Sequence, residues 1–372
     1  MLQFTLPRTS IHRMSSSFRR LVLLLDGTWQ EQVNRTNVAI LFENVDQDAN
    51  GDGVEQIVKY FEGVGTSWGD RLLAGAFGYG LSEVIKDAYL WLSQTYKPGD
   101  EVFVFGFSRG AYTARSLVGL MNKIGGVLKQ PTKALVEQAY DLYRDSKSDA
   151  TEFKAQHSQE ARVKLIGVWE TVGALGIPSL GLPLTLPGTP DYYRFHDTNL
   201  SCIVDYAYHA IAIDEYRADF DATLWDATTE KNKDVEQCWF IGDHGNIGGG
   251  GTSNILSILP YVWMQDKAVA VGLRMKTMLK AGEQWRQAPN DSFGSFLFGM
   301  YRIYRLGQPN NREIGKKVEE SLHPSVLLRL QNYPEYQPKP LTNVGVPDRT
   351  NEIPRNKNVK RCDGSKEGVA AS

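Results

Sequence analysis

The sequence predicts an α/β protein with a mostly parallel central sheet and helices on both faces. Short apolar runs of strand length alternate along the chain with segments that have helical spacing. Each of these runs ends in a polar residue. Strand–helix alternation needs crossover connections, and these place neighbouring strands parallel to one another.

The individual elements follow from local patterns. The predicted strands are 21–25, 101–105, 163–169 and 238–241. Apolar residues three and four positions apart predict a helix at 79–96, and good helix formers predict another at 111–120. Ligand sites lie beyond the carboxyl ends of such strands, so the polar residues that follow the four strands should converge. These residues are Asp26, Ser108, Glu170 and His244.

Composition limits the classes of protein. The 372 residues are 42% hydrophobic, enough for a large core, and the net charge of −2 gives no general attraction to nucleic acid. No apolar stretch approaches the roughly 18 to 20 residues of a membrane span. The chain has three cysteines without a C-x-x-C pair, which argues against a disulfide framework or a zinc site and favours a reducing compartment. We therefore expect a cytoplasmic protein.

The two ends of the chain differ from its middle. Residues 1–19 are rich in arginine and serine without an acidic residue, which predicts a flexible leader and leaves mitochondrial targeting as the alternative. One domain with insertions is predicted over 20–337, and the polar segment 338–372 is predicted to be a disordered tail. The Pro- and Gly-rich loop 176–190 is predicted to line an apolar substrate pocket or to act as a lid, and a surface loop packed on the core is the alternative.

The most informative segment is EVFVFGFSRGAYTARS at 101–116. Gly106, Ser108 and Gly110 have G-x-S-x-G spacing at the point where a strand passes into a helix, as in a nucleophile elbow. A serine hydroxyl needs a histidine to take its proton and a carboxylate to orient that histidine. Glu170 and then His244 follow Ser108 in the chain order typical of α/β-hydrolases.

An oxyanion hole is the other requirement, because attack on a carbonyl concentrates negative charge on one oxygen. The backbone N–H of Arg109, directly after the nucleophile, is one expected donor. Gly27 or Thr28, at the end of the first strand, is the candidate for the second donor. A tight turn at this position is the alternative interpretation of Gly27 and Thr28.

Several stretches resemble the DUF2235 family of α/β-hydrolases, which includes the catalytic domain of type VI secretion phospholipase effectors. The stretches are LLLDGTW at 23–29, TNV at 36–38, GVGT at 63–66, PGDEVFVFGFSRGAYTAR at 98–115, GVWETVGALG at 167–176, IAIDEYRADF at 211–220, WFIGDHGNIGGG at 239–250 and LHPSV at 322–326. The resemblance implies a triad of Ser108, the acid of the WETVG segment and the histidine of the GDHGN segment.

Two departures from the family pattern concern this site. The family usually has aspartate where this chain has Glu170, and often has aspartate where this chain has Asn246. Asp214 is the rival triad acid, since it also lies between Ser108 and His244 in sequence. The alternative for Asp214 and its neighbour Glu215 is a buried ion pair with Arg217 or Arg109.

Together these observations predict a serine hydrolase acting on a carboxylic ester, and the resemblance implies a lipid or phospholipid substrate. Peripheral contact with lipid is compatible with this prediction. A binding protein on a decayed hydrolase scaffold, and a thioesterase or peptidase with the same triad, are the alternatives. H-E-x-x-H and Walker motifs are absent from the sequence, so no metal or cofactor is expected. The sequence does not indicate an oligomeric state.

Overall fold

The computed structural model describes residues 18–27, 35–47, 52–63, 74–173, 198–251, 255–295, 307–342 and 356–362. The strands within these ranges are β1 (Arg20–Leu25), β2 (Gln56–Phe61), β3 (Glu101–Phe107), β4 (Val127–Leu128), β5 (Ser158–Gln159), β6 (Val163–Trp169), β7 (Val204–Ala212), β8 (Thr228–Thr229), β9 (Asp234–Phe240), β10 (Glu320–Leu322) and β11 (Val359–Lys360). Seven of these described strands form the central sheet, in the order β10-β9-β7-β6-β3-β1-β2. Each neighbouring pair in this sheet is parallel.

Helices lie between the strands. Within the same ranges they are α1 (Asn37–Asn44), α2 (Ala74–Thr95), α3 (Arg109–Ile124), α4 (Lys133–Arg144), α5 (Thr151–His157), α6 (His244–Gly248), α7 (Ile258–Ala270), α8 (Ser292–Ser295), α9 (Pro324–Asn332) and α10 (Lys339–Thr342). Short 3₁₀ turns occur at Ala218–Phe220, Ile255–Ser257 and Gln284–Arg286.

Strands β1, β3 and β6 are buried on both faces, which explains why their sequences are mostly apolar runs. Successive side chains of a strand point to opposite faces. In β1, Val22 and Leu24 pack in one hydrophobic core, while Leu21 and Leu23 pack in the other. Side chains of α1 and α7 complete the first core, and those of α2, α3 and α4 complete the second. The prediction of an α/β fold with a mostly parallel sheet is confirmed, and its strand order around the serine elbow is that of an α/β-hydrolase-like fold.

The carboxyl ends of the central strands lie level with one another. Leu25 of β1 pairs with Gly106 of β3, and Phe107 of β3 pairs with Trp169 of β6. Trp169 in turn pairs with Ala210 of β7. Residues that follow these strands are therefore brought to one edge of the sheet, where the candidate site lies.

The C-terminal part of the described chain folds back onto the domain. The described residues do not include residues 1–17 of the predicted leader or the loop 176–190. The roles predicted for these two segments stay predictions. Within 338–372, α10 buries Leu341, and β11 pairs with β8.

Cys202 and Cys362 form a disulfide, so the expectation from cysteine spacing was wrong for this pair. The two cysteines are 160 residues apart, and only the tertiary fold brings them together. No helix in the described ranges is long and apolar enough to span a bilayer.

Candidate active site

Ser108 occupies a strained turn between β3 and α3. Its backbone has φ 57° and ψ −120°, an unfavourable conformation for a residue with a side chain. The Ser108 N–H donates to the Trp169 carbonyl of β6 at 3.0 Å, which fixes the turn against the neighbouring strand. Strain of this kind persists where the surrounding structure holds it, and it clusters at functional sites.

His244 is the first residue of α6 and lies beside the serine. Its Nε2 is 2.9 Å from Ser108 Oγ. Asp243 caps α6 by accepting from the Asn246 N–H, and the rings of Phe107 and Phe220 lie 4.8 and 5.1 Å from the imidazole. The imidazole is thus held by packing on two sides and by the start of a helix.

Glu170 follows β6 and completes the hydrogen-bond chain. Its Oε2 lies 3.1 Å from His244 Nδ1. An ionised carboxylate only accepts, so Nδ1 carries the hydrogen and Nε2 is left to accept from Ser108. Glu170 also has a positive φ, 48°, and is fully buried. Glu170, which supplies the carboxylate of the site, is therefore its second strained residue.

Arg312 is the residue at this site that the sequence analysis missed. Its guanidinium binds Glu170 through both nitrogens, with Nη1 to Oε1 at 2.7 Å and Nη2 to Oε2 at 2.9 Å. Burial alone would raise the pKa of Glu170, but the charge of Arg312 and the hydrogen bonds from His244 and Arg312 hold that pKa well below its ordinary range. No local pattern around Arg312 marks it, since it lies 142 residues from Glu170.

The rival acid Asp214 has other partners. Its Oδ2 accepts from the Gly242 N–H at 2.7 Å and from the Tyr336 hydroxyl at 2.8 Å. Glu170, not Asp214, lies within hydrogen-bond distance of His244 Nδ1. The neighbouring Glu215 forms a buried ion pair with Arg217 at 2.6 Å, in line with the alternative proposed for this segment.

Asp214 should make stability depend on pH. Burial raises its pKa from 3.8 to about 6, so the folded chain retains a proton that the unfolded chain releases. The resulting stabilisation is full below about pH 4 and is lost as pH rises through about 6. Asp214→Asn keeps the acceptor oxygen and does not titrate. The free energy of unfolding of this variant minus that of wild type should therefore rise by on the order of 2–3 kcal/mol between pH 4 and pH 7.5.

Urea denaturation of both proteins at several pH values measures this difference. A difference in the free energy of unfolding that stays constant from pH 4 to 7.5 would contradict the assignment of a raised pKa to Asp214.

Two of the candidate oxyanion donors are described: Arg109 lies at the start of α3, and Gly27 lies just after β1. Arg109 is the first residue of α3, so its backbone N–H lies at the positively polarised end of a helix, next to Ser108. The Gly27 N–H donates to the Oδ1 atom of Asp26 at 2.7 Å. Thr28 lies outside the described residues.

Asp26 shares the edge of the sheet with the other three residues but has its own partners. Its carboxylate accepts from the Thr36 and Tyr60 hydroxyls, each at 2.5 Å, as well as from Gly27. Burial raises its pKa against these hydrogen bonds. These contacts tie the end of β1 to the start of α1 and to β2, a structural role.

Asn246, the second departure from the family pattern, also has a structural role. Its Oδ1 accepts from the backbone N–H groups of Asp243 and Asn290, at 3.2 and 3.0 Å. It thus completes the capping box that begins α6 and fixes the position of His244. In the described part of the chain, no group of three or more His, Cys, Asp or Glu side chains is arranged to hold a metal ion.

Comparison with known proteins identifies the family of the chain. A protein from Saccharomyces cerevisiae, the uncharacterized protein YEL023C, is 30% identical over 237 residues; the match covers 55% of this chain and 32% of the yeast protein. Among solved structures, an uncharacterized protein from Pseudomonas aeruginosa gives a TM-score of 0.42 at 15% identity, over 71% of this chain and 48% of that protein.

Esterase 2 of Thermogutta terrifontis gives a TM-score of 0.36 in its tabun-phosphoramylated form, at 12% identity, over 71% of this chain and 86% of the esterase. The family model of the catalytic domain of the type VI secretion phospholipase effector Tle1-like proteins matches residues 19–267, which is more than half of the 372 residues. This match includes the segments of Ser108, Glu170 and His244. The chain therefore belongs to the family of type VI secretion phospholipase effector Tle1-like catalytic domains.

Proposed function

We propose that the protein is a serine hydrolase that cleaves a carboxylic ester, with Ser108 as nucleophile, His244 as general base and acid, and Glu170 as the orienting carboxylate. One observation carries the proposal. Ser108 Oγ, the two nitrogens of His244 and Glu170 Oε2 form a continuous hydrogen-bond chain, with distances of 2.9 and 3.1 Å. Such a chain lets a weakly nucleophilic hydroxyl lose its proton as it attacks.

In the acylation step, Ser108 Oγ attacks the ester carbonyl while its proton passes to His244 Nε2. The negative charge that develops on the carbonyl oxygen is stabilised by the Arg109 N–H. Thr28 is the remaining candidate for the second donor, because the Gly27 N–H already donates to Asp26 Oδ1. The tetrahedral intermediate then collapses, and His244 gives its proton to the departing alcohol. An acyl group remains on Ser108.

In the deacylation step, water takes the place of the alcohol. His244 Nε2 removes a proton from the water, which attacks the acyl carbonyl, and the proton then returns to Ser108 Oγ. The acid product leaves and the resting hydrogen bonds re-form. Glu170 keeps Nδ1 protonated throughout, so that Nε2 remains the working nitrogen.

The retained strain argues against a decayed scaffold. Ser108 and Glu170 both have positive φ, a conformation that costs about 1–3 kcal/mol each for residues with a side chain. A binding protein without chemistry would gain stability if glycine, or a relaxed turn, replaced either residue. Of the four non-glycine residues with positive φ in the described part of the chain, two belong to the three-residue hydrogen-bond chain, which supports a working site.

Family membership supports a lipid ester as the general substrate class, since the family is described as that of a phospholipase effector catalytic domain. The chain matches only about a third of the length of its yeast relative, and the substrate is therefore proposed for this domain alone. A phospholipid is the specific substrate that we propose. Thioesters and peptides use the same triad chemistry and are tested as competitors.

Covalent labelling with a fluorophosphonate probe tests the nucleophile. Wild-type protein should be labelled at Ser108, as located by mass spectrometry, and Ser108→Ala should not be labelled. Ser116→Ala is a suitable control, because this buried serine lies in α3, the helix that follows Ser108, and does not belong to the hydrogen-bond chain. An adduct on another residue, or an unlabelled wild type, would refute the proposal and favour the non-catalytic scaffold.

A substrate panel then tests the class. Phosphatidylcholine vesicles, p-nitrophenyl butyrate, an acyl thioester and a peptide amide are offered to wild type and Ser108→Ala. We expect Ser108-dependent release of fatty acid from the vesicles. Faster turnover of the thioester or the amide than of either ester would contradict the assignment to ester hydrolysis.

A further inference from the structure

Arg312 has the geometry of a residue built into the site. It is only 4% exposed, and both of its terminal nitrogens face the two oxygens of Glu170. The same nitrogens donate to the carbonyl of Ala212, at 2.8 Å, and to that of Phe220, at 2.6 Å. Bidentate arginine–carboxylate pairs add directional constraint to their charge interaction. Arg312 therefore fixes where the Glu170 carboxylate lies relative to β7.

Glu170 is hydrogen-bonded on both oxygens. Oε1 accepts from the Ala212 N–H at 2.7 Å as well as from Arg312, and Oε2 accepts from His244 as well as from Arg312. The extra methylene of glutamate gives the carboxylate the reach to serve these partners together.

The Arg312–Glu170 ion pair also changes the electrostatic environment of the His244 imidazole. A bare triad carboxylate presents a full negative charge to the imidazolium that forms during catalysis. Here the guanidinium lies against the same carboxylate, so the charge facing Nδ1 is largely cancelled. Other charged or titratable groups around this site are Glu215, paired with Arg217 and accepting from the His244 N–H, together with Asp243, Asp221 and His209.

We propose that Arg312 is a positioning residue of the hydrolase site, which holds the Glu170 carboxylate against His244 and offsets part of the negative charge that this carboxylate presents to the imidazole. This inference rests on the proposed function. The bidentate contact keeps the carboxylate from turning away when the imidazole changes its protonation state.

The test is the pH dependence of fluorophosphonate labelling at Ser108. Arg312→Gln removes the charge and leaves Glu170 uncompensated beside His244. We expect the acidic limb of its rate profile to move up by about one pH unit or more, because an unscreened carboxylate at this distance favours the protonated imidazole. The plateau rate should fall by at least about tenfold. Arg312→Lys keeps the charge without the bidentate geometry, so its acidic limb should stay near that of wild type.

Arg329→Gln is the matched control. Arg329 is also a buried arginine, but it donates to the carbonyls of Trp285 and Gln287. Its loss should lower stability without moving the acidic limb. This separates loss of an arginine from the core from loss of the arginine on Glu170.

The outcomes are distinct. Labelling of wild type together with an unchanged acidic limb in folded Arg312→Gln would overturn the inference and leave the proposed function intact. An unlabelled wild type would overturn the proposed function, and the inference with it. If Arg312→Gln does not fold, Arg312→Lys is combined with Glu170→Gln in a double-mutant cycle. Additive effects on the labelling rate would then overturn the inference, and strong coupling would support it.

Discussion

Replacing His244 with alanine is expected to lower kcat for p-nitrophenyl butyrate at least about a thousandfold, since triad members act as a unit and loss of the base removes most of their contribution. The ring is the only group within hydrogen-bond distance of Ser108 Oγ that the described residues supply. Without it the hydroxyl must lose its proton to water. Steady-state kinetics with purified protein measure the effect. Binding should change little, so KM should stay within a few-fold of wild type.

His323→Asn serves as the matched control for this substitution. His323 is the N-cap of α9, where its side chain accepts from the Ser325 N–H, and asparagine can take over that role. Its ring stacks on Phe240, so its replacement costs packing but no catalytic group. We expect His323→Asn to retain wild-type kcat. A kcat for His244→Ala within tenfold of wild type would show that His244 is not the general base.

Strands β1, β3 and β6 could be predicted because strands that are buried on both faces have an uninterrupted apolar sequence, and β6 begins and ends at the predicted residues. Strand β7 is buried as well but was not predicted, because Asp205 and His209 interrupt its apolar sequence. The edge strand β2 was not predicted, because most of its residues are partly exposed and their pattern is weak. Strand β3 extends two residues further than predicted, through Gly106 to Phe107. The prediction ended at Phe105 because a glycine weakens a strand pattern.

Some residues of the candidate site could be predicted from the sequence, and others could not. Ser108 and Glu170 each directly follow a strongly apolar strand, so their places at the edge of the sheet could be predicted from sequence. Arg312 could not, because a single arginine in a polar stretch has no periodic signal and meets Glu170 only through the tertiary fold. The Cys202–Cys362 disulfide was missed for the same reason. Contacts over 142 and 160 residues leave no trace in local spacing.

Gly110→Ala is expected to destabilise the fold by about 3 kcal/mol, the upper end of the usual cost of overpacking, because the atoms that it meets belong to the backbone. A Cβ at this position would lie 2.5 Å from the carbonyl oxygen of Asp26 and would also overlap that of Leu25. Leu25 is the last residue of β1 and Asp26 is the residue after it, and β1 is hydrogen-bonded to β2 on one side and to β3 on the other. The last glycine of the G-x-S-x-G pattern is therefore needed because α3 begins directly against a strand. Urea denaturation at pH 7.5 measures the loss.

Gly282→Ala separates this steric effect from the general effect of adding a methyl group. A Cβ on Gly282 would meet nothing closer than the Gln284 side chain at 3.7 Å, an ordinary contact, so its stability should stay within about 0.5 kcal/mol of wild type. Relief of the overlap in Gly110→Ala would require β1 and α3 to separate, which also displaces Ser108. Labelling of Ser108 should therefore fall together with stability. A variant as stable and as readily labelled as wild type would show that the packing of α3 against β1 is not what requires glycine at position 110.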